Sequence, residues 1–160
     1  MKPIKNHNFL LAICVLVLVV LCWLSVEQPL RFEREQQRRE QVVKHRLLQI
    51  RSAEEHYKAK HGTYSGQFAS LVKSGLIADS LQYVPFSDGE RFQLTASFVI
   101  GKTGRQIPVM ECGATFQQYL KGLDRNSVAN LIERANASGH FPGLKFGDVA
   151  EANGNATNWE

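Results

Sequence analysis

Eighteen consecutive residues, Phe9 to Val26, carry no charge, and Ser25 is their one weakly polar hydroxyl. As an α-helix such a run is about 27 Å long, at roughly 1.5 Å per residue. That is close to the roughly 30 Å of a bilayer's hydrocarbon. In lipid the backbone must satisfy its own hydrogen bonds, so a helix forms despite the β-branched valines. Trp23 stands near the exit, where aromatic rings favour the headgroup boundary. The competing expectation is a cleaved signal peptide, with Lys2 and Lys5 as its basic region. Its apolar region would be shorter, roughly 7–15 residues, and Cys22-Trp-Leu-Ser-Val-Glu-Gln-Pro29 contains no small-x-small cleavage pattern. Leu21 and Ile13 precede the two cysteines of the run, which excludes a lipoprotein signal. The reading is a short basic tail over 1–8 and an uncleaved transmembrane helix over 9–26.

Charge is distributed unevenly behind this run. Residues 27–60 hold nine Lys/Arg and six Glu, and residues 61–160 hold eight Lys/Arg and nine Asp/Glu. The net charge of +4 therefore comes from the tail and the stretch after the apolar run. The remaining hundred or so residues show no basic face of the kind a nucleic-acid reader needs, so no nucleic-acid partner is expected. Cys112 is the one cysteine outside the apolar run, so no disulfide can form within the head.

Residues 27–60 predict a charged stalk helix that continues into the head, with a kink or restart at Pro29. Its first part is nearly all charged or amide, with helix-supporting pairs four apart such as Glu27/Arg31 and Glu40/Lys44. This suits a solvated spacer, and contact between its arginines and anionic lipid is the alternative. From Val43 an apolar stripe appears: Val43, Leu47, Ile50, Ala53 and Tyr57 share one helical face and predict core packing. Gly62 ends the helix after the basic turn of Lys58, Lys60 and His61.

Residues 61–160 predict a small α+β head. Phe68 to Leu76 reads as a short helix stopping near Gly75, Tyr83–Phe86 as an edge strand, and Ser87-Asp-Gly89 as a turn. Phe92, Leu94, Ala96, Phe98 and Ile100 alternate as a half-buried strand. Gly101-Lys-Thr-Gly104 turns the chain into Gln106–Glu111, a returning strand whose Pro108 suits an edge. Asn126–Ala137 is a helix ended by Gly139, and Asp148-Val-Ala-Glu151 has the spacing of a capping box. The fold class is α+β: a long N-terminal helix packed on a small antiparallel sheet, with additional short helices.

The chemistry-bearing residue types form no recognisable site. Gly101-Lys102-Thr103 looks like the end of a phosphate loop, but Ala96 stands where the first glycine belongs. His45, His56, His61 and His140 lack metal-ligand spacing. Glu54 and Glu55 are adjacent and point to different faces. Ser87-Asp88 and Ser138-Gly-His140 offer triad types without an elbow. The expectation is no catalytic, cofactor-binding or metal residue, no cofactor and no small-molecule substrate. Asn136-Ala-Ser138 and Asn155-Ala-Thr157 fit the N-glycosylation pattern.

The layout resembles type IV pilins and type II secretion pseudopilins over residues 43–76. The match lies in the stripe, Ala53-Glu-Glu-His-Tyr57, His61-Gly-Thr-Tyr64, Phe68 and Leu71. The chain is also similar to small membrane proteins of Bacteroidetes, whose exported members carry an O-glycosylation pattern that Asp79-Ser80-Leu81 fits. No prepilin cleavage motif accompanies the likeness: no glycine precedes Phe9 and no glutamate stands five residues into the run. The resemblance implies a non-enzymatic, single-pass protein of the bacterial inner membrane. Its N-terminus would be cytoplasmic and its head periplasmic. Its partners would be the bilayer and either another protein or a second copy, in envelope assembly, secretion or adhesion. The Lys/Arg count alone slightly favours the opposite orientation. The other expectation is an accessory subunit that binds a membrane complex through the charged helix and allows a cytoplasmic head.

Overall fold

Val43, Leu47, Ile50 and Ala53 recur at three- and four-residue intervals, which places them on one side of a helix. In the computed structural model of the chain the first three are fully buried and Ala53 nearly so. They lie on α1 (Ile4–His61), which is followed by α2 (Phe68–Lys73), a 3-10 turn (Asp79–Gln82) and β1 (Gln93–Ile100). Next come β2 (Gln106–Thr115), α3 (Phe116–Tyr119), α4 (Arg125–Ala137) and β3 (Gly143–Gly147). The structure describes the backbone of residues 4–160 and the side chains of residues 9–23 and 30–160. The tail lysines Lys2 and Lys5, the exit Ser25–Pro29 and Glu27 of the Glu27/Arg31 pair thus lie outside the described side chains. The α1 helix runs through position 29 without the expected restart.

The chain divides into two compact units, Met1–Gln36 and Gln37–Glu160. In the first, every described side chain from Phe9 to Trp23 is exposed. Among the described residues no helix is long and apolar enough to cross a membrane. Of the 9–26 run, residues 9–23 have described side chains.

The second unit is α+β. Its three strands form an antiparallel sheet in the order β1-β2-β3. Phe98 lies opposite Pro108, Leu94 opposite Cys112, and Cys112 opposite Phe146. By the period-two rule, Leu94, Ala96, Met110, Cys112, Ala114, Leu144 and Phe146 share one sheet face. Met110, Cys112, Ala114, Leu144 and Phe146 are buried there. Leu94 joins Ala53, Leu71 and Ile77 in an apolar cluster with Tyr57, Phe68 and Leu81 around it.

Several local expectations are corrected. Tyr83–Phe86 is not a strand; it makes one isolated bridge, Tyr83 to Arg91. Pro85 offers no donor, and the buried Ser87 hydroxyl donates to the Val84 carbonyl (2.7 Å) while accepting from the Glu90 N–H (3.1 Å). That turn takes the backbone groups a ladder would need. The returning strand is longer than expected and central. Pro108 is tolerated because β3 pairs only with residues 111–115, so no third strand lies beside it. Alternation along β1 holds at Leu94 and Ala96 and fails at the far end, where Phe98 and Ile100 are exposed. Asp148–Glu151 forms bends rather than helix. Asp148 accepts the Ala150 N–H (2.7 Å) and pairs with Lys145 (3.6 Å).

Helix α4 starts as its sequence directs. Asp124 caps it by accepting the Ser127 N–H and hydroxyl, both at 2.8 Å. The Ser127 backbone bond, foremost, holds the Asp124 carboxyl below its usual range. A carboxyl lowered in the folded state stabilises above its unfolded pKa, about 3.9, and loses that contribution as pH falls through the folded value. Asp124→Ala should therefore lower the urea midpoint at neutral pH. The gap to wild type should close as pH drops below about 4; an unchanging gap would contradict this.

Candidate functional site

Glu54 is a buried carboxylate of the second unit that takes three hydrogen bonds. It sits four residues after Ile50 and seven after Leu47, on the buried stripe itself, and it is fully buried. Its Oε2 accepts the Ser65 N–H (2.7 Å). Its Oε1 accepts the Gly66 N–H (3.0 Å) and the Ser65 hydroxyl (3.0 Å). Successive backbone N–H groups aimed at one carboxylate form an anion-binding nest. Gly66 in turn backs onto β1: a Cβ there would lie 2.9 Å from the Ala96 nitrogen, and its φ is +62°. Beside it the Tyr64 hydroxyl receives Lys58 Nζ (3.2 Å) and Asn155 Nδ2 (2.8 Å). This cluster ties the end of α1, the following loop and the C-terminal tail together. Glu55, next in sequence, is exposed. Sequence reasoning missed Glu54 as a structural anchor; the missed signal was an acid in register with an apolar stripe.

The charged stretch is not only a spacer. Arg39, half-buried, donates to the carbonyls of Tyr119 (3.2 Å) and Lys121 (2.8 Å), and its guanidinium lies 4.7 Å from the Phe86 ring centre. Arg46 donates to the Tyr83 carbonyl (2.6 Å). Both arginines bind head carbonyls that helix and turn geometry leave unpaired.

The remaining candidates are placed as follows. Gly101-Lys102-Thr103 forms the hairpin turn, closed by Gly101 N–H to Arg105 O (2.8 Å). His45, His56 and His61 are exposed along α1. His56 Nδ1 contacts the Ser52 carbonyl (2.7 Å), and His61 stacks on Tyr57. Among the described residues no three His, Cys, Asp or Glu come together as a metal-ligand set. Ser138 Oγ lies 2.8 Å from His140 Nδ1. That hydroxyl also faces the Arg134 and Ala135 carbonyls at 2.9 and 3.0 Å. Two carbonyls thus compete with the imidazole for the one hydroxyl proton. A serine nucleophile needs the imidazole to accept it. This pair closes a helix end. Ser80 of the Asp79-Ser80-Leu81 pattern is exposed on the 3-10 turn. Asn136 is exposed at the end of α4, whereas the amide of Asn155 is committed to Tyr64.

An open groove of about 630 Å³ lies between α2 and β1 and is lined by Phe68, Val72, Lys73, Asp79, Gln82 and Arg91, among others. Its volume is within the ligand-pocket range. Its polar groups do not converge on a ligand, because Gln82 Nε2 donates to Asp79 Oδ1 (2.6 Å). A second, about 360 Å³, lies at the C-terminal end of α4 beside Trp159.

Cys112 is fully buried, and burial, followed by Glu54 and Glu111, pushes its thiol well above the ordinary value. A thiolate is the reactive form. In the folded protein with Cys14 and Cys22 replaced by serine, Ellman's reagent should find no reactive thiol until urea unfolds the head. Prompt labelling under native conditions would contradict this.

The chain matches no protein-family model, no curated protein and no solved structure.

Proposed function

We propose that this chain is a non-enzymatic single-pass membrane protein of the bacterial inner membrane. In this reading the apolar run over 9–26 is the anchor, the N-terminus is cytoplasmic and the head is periplasmic. The head acts through protein contacts, in the manner of pilins and pseudopilins, in envelope assembly, secretion or adhesion. The carrying observation is the exposure of Phe9 to Trp23 on all sides of α1. Leu10, Leu11, Val15, Leu16, Leu18, Val19 and Leu21 each leave more than half of their surface uncovered. A helix apolar all round belongs in an apolar medium. A head that works by contact rather than by chemistry is supported by the buried or turn-bound engagement of Glu54, Ser87, Ser138 and Cys112 described above.

Alkaline carbonate extraction of membranes tests the anchor, and the full-length chain should stay in the pellet. Leu16→Glu adds a charge at the middle of the run, at a cost of roughly 3 kcal/mol to insertion, and should move a fraction of the chain to the supernatant. Sidedness requires an accessible thiol, which buried Cys112 does not provide. Thr103→Cys, at the exposed hairpin turn, should react with an impermeant maleimide in spheroplasts. A wild-type chain released by carbonate would remove the anchor, and labelling only after lysis would place the head in the cytoplasm.

A further inference from the structure

The far end of the β1–β2 hairpin combines two properties. Outside α1, the large apolar side chains exposed among the described residues are Phe98 (54%), Ile100 (79%) and Ile107 (37%), all at this tip. Between Arg91 and Glu111 there is no acidic residue, and Lys102 and Arg105 stand at the turn. Neither cation has an ion-pair partner among the described residues.

We infer that this tip docks on the surface of an anionic lipid bilayer, with Phe98, Ile100 and Ile107 entering the headgroup–acyl boundary and Lys102 and Arg105 on the lipid phosphates. The register decides between a lipid and a protein occupant. Phe98 and Ile100 lie on one face of the hairpin, while Val99 and Ile107, opposite each other, lie on the other. Apolar groups therefore surround the tip, and a flat protein partner would cover one face and leave the other in water. Pairing a further strand with the edge of β1 is also curtailed. Gly101 and, by alternation, the odd residues of β1 bond to β2, so the even ones point outward. Phe92 N–H is taken by the Gln82 carbonyl, and Gly66 backs onto Ala96. Leu94 lies between these two blocked positions, so the free run of the edge is Phe98 and Ile100, too few for a stable strand. A second copy of the tip would bring like charges together. Phospholipid supplies both missing complements at once: negative phosphates for the cations and an apolar layer for the rings and branched chains.

The inference is independent of the anchor. The test uses the full chain with Cys14→Ser, Cys22→Ser and Ile100→Cys, labelled with an environment-sensitive fluorophore and held in phosphatidylcholine nanodiscs. It is titrated with vesicles of phosphatidylcholine or of an equimolar phosphatidylcholine–phosphatidylglycerol mixture. The emission should shift to the blue with the anionic vesicles and stay put with the neutral ones. Lys102→Ser or Arg105→Ser should each raise the lipid concentration at the midpoint about fivefold, and Phe98→Ser should also raise it. These side chains are exposed, so a matching urea midpoint establishes that each variant is folded. No shift, an equal shift with neutral vesicles, or a shift indifferent to the cation substitutions would overturn the proposal. So would a blue shift that grows with protein concentration in the absence of vesicles, which would make a second copy the occupant.

Discussion

Replacing Glu54 with alanine is expected to cost the second unit about 3 kcal/mol and to lower its melting temperature by about 10 °C. The carboxylate accepts two backbone N–H groups and faces a hydroxyl, all from Ser65 and Gly66, and it is fully buried. Alanine removes the acceptor of those donors, which sit on half-buried Ser65 and Gly66, and empties the buried space of the carboxylate. A buried donor left unmade costs roughly 1–3 kcal/mol, and bonds to a charged acceptor lie at the upper end. The loop also carries Gly66 onto β1, so slack there loosens the strand edge. Glu54→Gln restores one oxygen and turns an N–H₂ toward the remaining donors, so it should recover only part of the loss. Glu55→Ala is the control. Its side chain is exposed, with a 3.5 Å contact to Asn155, and the change should stay within about 0.5 kcal/mol. Urea denaturation of the three variants checks the order. Equal effects at 54 and 55 would mean that the buried carboxylate does not hold the loop.

The adjacent acids also show what periodicity can and cannot reveal. Spacing alone separates them onto different faces of the helix. It does not tell which one turns inward, because an acid on an apolar stripe is acceptable only if distant backbone donors meet it. Those donors come from a loop whose geometry no local pattern encodes. The stripe from Val43 to Ala53, the β1–β2 hairpin and α4 were legible, since each has a clear period and its own stop signals. β3 was not. Its five residues, Gly143–Gly147, are bounded by glycines, and a Cβ at Gly143 or Gly147 would run into the Ala114 or Met110 carbonyl. The glycines permit the close approach that makes the strand, while in sequence they read as breakers. α3 is a single turn fixed by Thr115 and Gln118, too short for any period to show. The exposed end of β1 misled for the opposite reason: alternation there is genuine, yet the part of the sheet it predicts as buried extends past the core. At the candidate sites the residue types were readable, but the carbonyls around Ser138 and the commitment of Asn155 to Tyr64 depend on neighbours that only the fold supplies.

A boundary at residue 61 separates stalk from head on charge and composition, whereas the packing places the start of the compact unit at Gln37. The two choices predict opposite behaviour for two fragments. Residues 37–160 should fold and unfold cooperatively in urea, and residues 61–160 should not. Deleting 37–60 removes Val43, Leu47 and Ile50, each fully buried. At roughly 1.5–3 kcal/mol for each buried aliphatic side chain, their loss alone is about 6 kcal/mol. A domain of this size has only about 5–15 kcal/mol in total. The same deletion takes away the Glu54 carboxylate and leaves the carbonyls of Tyr119, Lys121 and Tyr83 without Arg39 and Arg46. It also uncovers apolar surface that would draw chains together. The shorter fragment is therefore expected to aggregate or to give a collapsed amide spectrum, while the longer one gives dispersed resonances. A dispersed spectrum and a cooperative transition for 61–160 would show that the sheet has a core of its own. The buried stripe of α1 would then be an attachment rather than part of the fold.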